Sequence, residues 1–188
     1  MGGSGRRRPT GAEAVPDPRA DGRPRCPWPT HAAAVAYHDD EWGVPCRDEH
    51  ALFEQLCLEG AQAGLSWDTI LAKRARYREV FAGFDPERVA RFGEADVRRL
   101  LGDAGVVRHR GKLEATCDNA RAWLALREDE GDVVRWLWSF VDGRPVVGAW
   151  RRMDAVPART ATSERLSRAL KARGFRFVGP TTCYAFLQ

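Results

Sequence analysis

The sequence predicts an all-α, multi-helix domain. Three observations carry that expectation. Apolar residues recur at three- and four-residue spacing through most of the chain after residue 25. Side chains able to cap a helix stand in front of most of these runs. Only Phe175–Val178 and Arg144–Val147 have strand character, and both are too short to build a sheet alone.

Each helix has a local reason. Asp48 caps a stripe of Leu52, Phe53 and Leu56 that continues to Ala63 and stops at Gly64. Ser66 caps a second helix that buries Ile70, Leu71, Tyr77, Val80 and Phe81. Asp85-Pro86 is a cap followed by a first-turn proline. A short helix runs from Asp96 to Leu101 and ends at Gly102 or Gly105. Gly111 opens the next, with Leu113, Ala120, Trp123 and Leu124 on its inner face. Asp132 caps Val134, Leu137, Trp138 and Val141, and Asp142-Gly143 turns the chain. Ser163 starts a helix carrying Leu166 and Leu170. Gly174 stops that helix, and Phe175 folds back on Leu170 as in a Schellman ending. Gly179-Pro180 starts the last.

Charge and composition restrict the function. The 188 residues carry a formal charge of +4, with a pI near 9.0. Residues 1–25 hold six arginines against Glu13, Asp17 and Asp21, so +3 of the +4 lies there. That Gly/Pro/Arg-rich stretch has little apolar surface to offset its ordering entropy, and a disordered tail is expected. Residues 26–188 are expected to form the single folded domain. Any anion-binding surface on it must be a local patch. No apolar run approaches the ~20 residues a bilayer span needs. Arg6, Arg7 and Arg8 are not followed by the apolar stretch of a secretory leader. The five scattered cysteines do not form a disulfide framework. A cytoplasmic monomer is therefore expected.

Four features can carry chemistry. Glu59 projects from the apolar face of the first capped helix, three residues after Leu56. A carboxylate there needs either an internal ion-pair partner or a ligand with N–H groups or positive charge. Trp28, Tyr37, Trp42 and Trp67 flank the same helix in sequence and can form an aromatic box for a flat or cationic ring, or simply pack a core. Cys26 and His38 are suitable zinc ligands, but two more would be needed. Gly105-Val106-Val107-Arg108-His109-Arg110-Gly111-Lys112 lies between two helices. Its glycine-flanked turns, the following helix N-terminus and its cations suit a clamp on nucleic-acid phosphates, or a solvated connection.

Several long strings resemble the 3-methyladenine DNA glycosylase I family. They are Ala36-Tyr37-His38-Asp39-Asp40-Glu41-Trp42-Gly43-Val44-Pro45, Leu58-Glu59-Gly60-Ala61-Gln62-Ala63-Gly64-Leu65-Ser66-Trp67, Ala104 to Lys112, Trp138-Ser139-Phe140-Val141, and Arg173 to Pro180. The resemblance spans Arg25 to Gln188. It implies a two-lobed, helix-hairpin-helix DNA glycosylase fold and hydrolytic excision of 3-methyladenine from double-stranded alkylated DNA. It assigns Glu59 to a hydrogen bond with the flipped base and Tyr37, Trp67 and Trp28 to base stacking. Leu65 becomes the plug for the gap left in the duplex. Gly105, Arg108, Arg110, Gly111 and Lys112 become backbone contacts. The family's structural zinc maps its first two ligands onto Cys26 and His38. Its second pair, a His and a Cys, would follow the last helix, and the chain ends at Gln188, so half of that site is expected here. One aromatic of the family's pocket is replaced by Ala34. The competing expectation is a non-catalytic DNA-binding module that keeps the hairpin.

Overall fold

The computed structural model describes Asp17 and residues 19–188. Most of the stretch expected as a tail lies outside the described residues. Within it, Arg25 is held down: its guanidinium donates to Asp39 at 2.6–3.0 Å and to Asp21 at 2.6 Å.

Among the described residues the regular structure is helical, with no strand. The helices are α1 (Ala32–Asp40), α2 (Glu49–Gln62), α3 (Trp67–Val80), α4 (Pro86–Val89), α5 (Glu94–Leu101), α6 (Arg110–Glu130), α7 (Val133–Ser139), α8 (Ala161–Ala172) and α9 (Pro180–Leu187). None is long and apolar enough to cross a membrane. The expected caps are formed. Asp48, Ser66, Asp85 and Asp132 each accept a backbone N–H from the first turn they precede. Gly174 has φ of +85°. Phe175 N–H donates to Leu170 O at 3.1 Å, and Gly174 N–H to Lys171 O at 3.0 Å, which is the Schellman pair.

Three helices differ from expectation. Helix α1 buries only Ala34, Val35 and Tyr37 in its nine residues, too short a stripe for periodicity to reveal it. Its N-cap is His31, whose Nδ1 accepts from Ala34 N–H. Helix α5 starts at Glu94, two residues before Asp96. Asp96 instead accepts the Gly93 N–H and closes the entry turn. Helix α8 begins at Ala161, because Thr160 is the cap and Ser163 reciprocates from the third position. The strand-like stretches pair with no strand. Arg144–Val147 is exposed, and Phe175–Val178 is satisfied by side chains: Asn119 exchanges two hydrogen bonds with the Arg176 backbone, and Ser167 donates to Val178 O at 2.6 Å.

Helix α2 is the centre of the domain. It packs against α3, α6, α7 and α9, and Phe53, Glu54 and every residue from Leu56 to Ala61 are buried. A helix enclosed on all sides should be apolar throughout, yet this one buries two carboxylates. Gly60 allows a close approach beside the second: a Cβ there would lie 3.2 Å from Phe177 Cβ on the segment leading into α9. Beneath α2, Phe53, Phe84, Phe81 and Trp123 form the aromatic core. Cys57, Cys117 and Cys183 belong to that core, where burial drives the last two thiols up to about 11 and about 12.

Candidate active site

Two buried glutamates of α2 have different surroundings. Glu54 receives Arg74 Nε at 2.6 Å and Arg78 Nε at 2.8 Å, and Arg74 reaches on to Glu41 at 2.8 Å. Glu59, only 5 % exposed, has no arginine. Its hydrogen-bond partner among the described residues is Gln55, whose Nε2 donates to Oε1 at 2.8 Å. The ion pair considered for Glu59 is thus the property of Glu54. Lacking a cation, the Glu59 carboxyl is pushed up to about 7 by burial, with the Gln55 hydrogen bond opposing.

The aromatic group assembles around Tyr37, which shares a hydrogen-bond donor with this carboxyl. Tyr37, from α1, and Trp67, at the first position of α3, have ring centroids 5.1 Å apart. Trp28 stands 6.3 Å from Tyr37 and 5.6 Å from Trp42. Gln55 Nε2 also donates to the Tyr37 hydroxyl at 3.1 Å, so the amide ties the ring to the carboxyl. Burial holds the Tyr37 phenol protonated, well above its usual range, and the nearby Glu59 adds to this. Trp67 Nε1–H is buried without a partner. An unspent donor on Trp67 and a carboxyl without a counter-ion are polar groups that a ligand at this site would satisfy. Two open surface cavities, of about 870 and 530 Å³, lie elsewhere and are not lined by Glu59.

Cys26 and His38 also come together. Asp39 Oδ1 lies 2.9 Å from His38 Nδ1, which fixes the proton there, and Nε2 accepts from Cys26 N–H at 3.4 Å. That tautomer suits a metal ligand. Zinc takes four, however, and among the described residues no group of three or more His, Cys, Asp or Glu is arranged to hold a metal ion. The described residues do not complete a zinc site.

The hairpin departs from expectation in its cations. Gly105 packs so closely under α3 that a Cβ would lie 2.4 Å from Arg76 Cγ. Arg108 is exposed and makes no ion pair among the described residues. Arg110 is paired with Glu94 at 2.9 Å and Glu114 at 3.2 Å. Lys112, expected as a phosphate contact, is turned inward. Its side chain is buried, and Nζ donates to Ala61 O at 2.8 Å and Ala63 O at 2.6 Å. The reason is the unsatisfied carbonyl end of α2, which an ammonium group caps well. Those carbonyls precede the turn carrying Gly64 (φ +79°) and Leu65, which is 41 % exposed. Lys112 therefore joins the hairpin helix to the turn that presents Leu65. Sequence inspection misses both this role and that of Gln55. The only local signal for Gln55 is its position one helical turn before Glu59.

Comparison with known proteins agrees with this geometry. The methyladenine glycosylase family model matches residues 28–188. The chain is 50% identical over 165 residues to DNA-3-methyladenine glycosylase 1 of Escherichia coli (strain K12), covering 87% of this chain and 88% of that one. It is 47% identical over 165 residues to DNA-3-methyladenine glycosylase of Haemophilus influenzae, covering 87% and 89%. A crystal structure of 3-methyladenine DNA glycosylase I superposes with a TM-score of 0.86 at 51% identity, over 88% of this chain and 91% of that one. The Staphylococcus aureus 3-methyladenine DNA glycosylase I, solved to show how 3-methyladenine is recognised, gives 0.82 at 39% identity, over 84% of each. With this coverage and identity, on the matching fold, the chain belongs to the methyladenine glycosylase family.

Proposed function

We infer that this chain is a DNA-3-methyladenine glycosylase that releases the base from alkylated duplex DNA by hydrolysing its N-glycosidic bond. The observation that carries the reading is Glu59: a buried carboxyl with a neutral hydrogen-bond partner that it shares with Tyr37, whose ring packs on Trp67. Methylation at N3 makes the adenine ring cationic and weakens its bond to the sugar. A cationic ring is attracted to aromatic faces by roughly 1–2 kcal/mol each when desolvated. The base must leave the stack to reach the pocket. Tyr37, Trp67 and Trp28 then supply the stacking faces, and ionised Glu59 accepts an N–H of the base and balances its charge. Because the leaving group is already activated, a strong general acid is not required. Leu65, exposed on its turn, fills the gap in the duplex. Gly105, Arg108, Arg110 and Gly111 form the backbone-facing hairpin, with Arg108 the cation best placed for phosphate. A structural zinc would use Cys26 and His38 as two of its ligands, and no step of excision is routed through it.

The test incubates the purified chain with methylated duplex DNA and measures free 3-methyladenine. Glu59→Gln lowers release by about 100-fold or more and leaves salt-dependent DNA binding near that of the wild type. Unchanged release from Glu59→Gln overturns the assignment of Glu59. DNA binding by both proteins with release by neither identifies a non-catalytic module instead.

A further inference from the structure

We propose that Gln55 is a positioning residue that sets which atoms of the base site accept hydrogen bonds and favours the charged form of Glu59. The argument rests on the reading of Glu59 as the base-binding carboxylate. An amide has two N–H donors on one side and a carbonyl acceptor on the other. Facing a carboxylate, it must turn its nitrogen inward, because the oxygen would meet a second acceptor. The geometry uses both protons: Nε2 lies 2.8 Å from Glu59 Oε1 and 3.1 Å from the Tyr37 hydroxyl.

Three consequences follow. Glu59 Oε1 is engaged, so Oε2 is the acceptor left for the base. The Tyr37 oxygen accepts from Gln55, so its own O–H is left as a donor. The ionised form of Glu59 gains a hydrogen bond that its protonated form does not need, which opposes the effect of burial. No cation assists. Among the described groups facing Glu59, Tyr37 on α1 is the ionisable neighbour; its other charged neighbours are Arg74 on α3 and Glu41 beyond α1, and Arg74 is committed to Glu41 and Glu54. Beside these, Trp67 packs on Tyr37 and Phe177 on the neighbouring Gly60, and both are uncharged. Gln55 is the one element of the pocket that holds the carboxyl in its charged form without neutralising it, and a cationic base needs that charge.

The experiment compares Gln55→Leu and Gln55→Met with the wild type. Two readouts are used: kcat/KM for 3-methyladenine release from pH 5.5 to 9, and the Glu59 side-chain carboxyl titration followed by NMR. Both variants should move the midpoint about one pH unit upward, with about a tenfold loss of kcat/KM at pH 6.5 that recovers above pH 8.5. Gln55 is half-buried, and a role confined to packing would depress the rate at all pH values without moving either midpoint. That result overturns the proposal. Glu59→Gln, run in parallel, separates the two readings. If it abolishes release while the Gln55 variants keep the wild-type midpoint, only the Gln55 proposal fails. If it releases base like the wild type, the Glu59 reading fails as well.

Discussion

Glu54 and Glu59 lie five residues apart on one enclosed helix, and their surroundings are opposite. Glu54 is wrapped by Arg74 and Arg78, with Glu41 completing the network. Its charge is compensated by the fold. Glu59 has a neutral amide for a partner, shared with the Tyr37 hydroxyl. The fold brings arginines to Glu54 and none to Glu59, as the role proposed for Glu59 toward a cationic base requires. Burying a carboxylate without a cation costs stability, and that uncompensated cost distinguishes the site from the scaffold.

Substitutions can break this contrast. The largest effect falls on activity: Glu59→Gln removes about 100-fold or more of base release, whereas Glu54→Gln leaves release per folded molecule close to the wild-type value. For stability the order reverses. Glu54→Gln leaves Arg74 with Glu41 alone and lowers the unfolding free energy by about 2 kcal/mol, as read by urea denaturation. Activity loss in Glu54→Gln equal to that of Glu59→Gln, at matched folded fraction, would end the distinction.

The pH dependence of stability sharpens it. Glu59 titrates at about 7 in the fold, against 4.5 for an ordinary glutamate. Between those values the folded chain holds a proton that the unfolded chain has released. The contribution of Glu59 to stability is therefore full below the unfolded value and is lost as pH rises through about 7. The wild type should lose roughly 2–3 kcal/mol from this source across that window. Glu59→Gln should lose none of it, so the difference between the two denaturation curves isolates the group.

Two smaller effects test how the hairpin is joined to the site. Lys112→Met uncaps Ala61 and Ala63. It should cost about 1–2 kcal/mol and speed amide exchange at Gly64 and Leu65, with a several-fold loss of release. Exchange rates unchanged at those amides would separate Lys112 from the plug turn. Arg108→Ala should reduce the salt slope of DNA binding by about 1. Arg110→Ala should reduce it less, because Glu94 and Glu114 already share its charge.

Much of the scaffold was legible because helix ends are local events. Asp48, Ser66, Asp85 and Asp132 sit where the chain needs an acceptor, and Gly174 where it needs positive φ. Helix α1 was not legible, since its buried residues, Ala34, Val35 and Tyr37, make too short a stripe to read. The start of α8 was shifted because Ser163 looks like a cap when Thr160 already holds that place. In the site, Glu59 stood out as a charge on an apolar face, and its resemblance to a known motif gave it a role. Gln55 and Lys112 were not visible as partners. One is an ordinary helix-surface amide in sequence, and the other reads as a free cation.

The amino-acid sequence by itself determined the helical class, most helix ends, the family and the residue types around the pocket, because capping, periodicity and long motifs are properties of neighbouring residues. Tertiary structure decided which charges are spent. Arg74 and Arg78 reach Glu54 across some twenty residues or more, Lys112 reaches Ala61 across fifty-one, and Glu59 is reached by none of them. Whether a buried charge is compensated depends on side chains brought from distant helices, and spacing along the chain does not encode that distance.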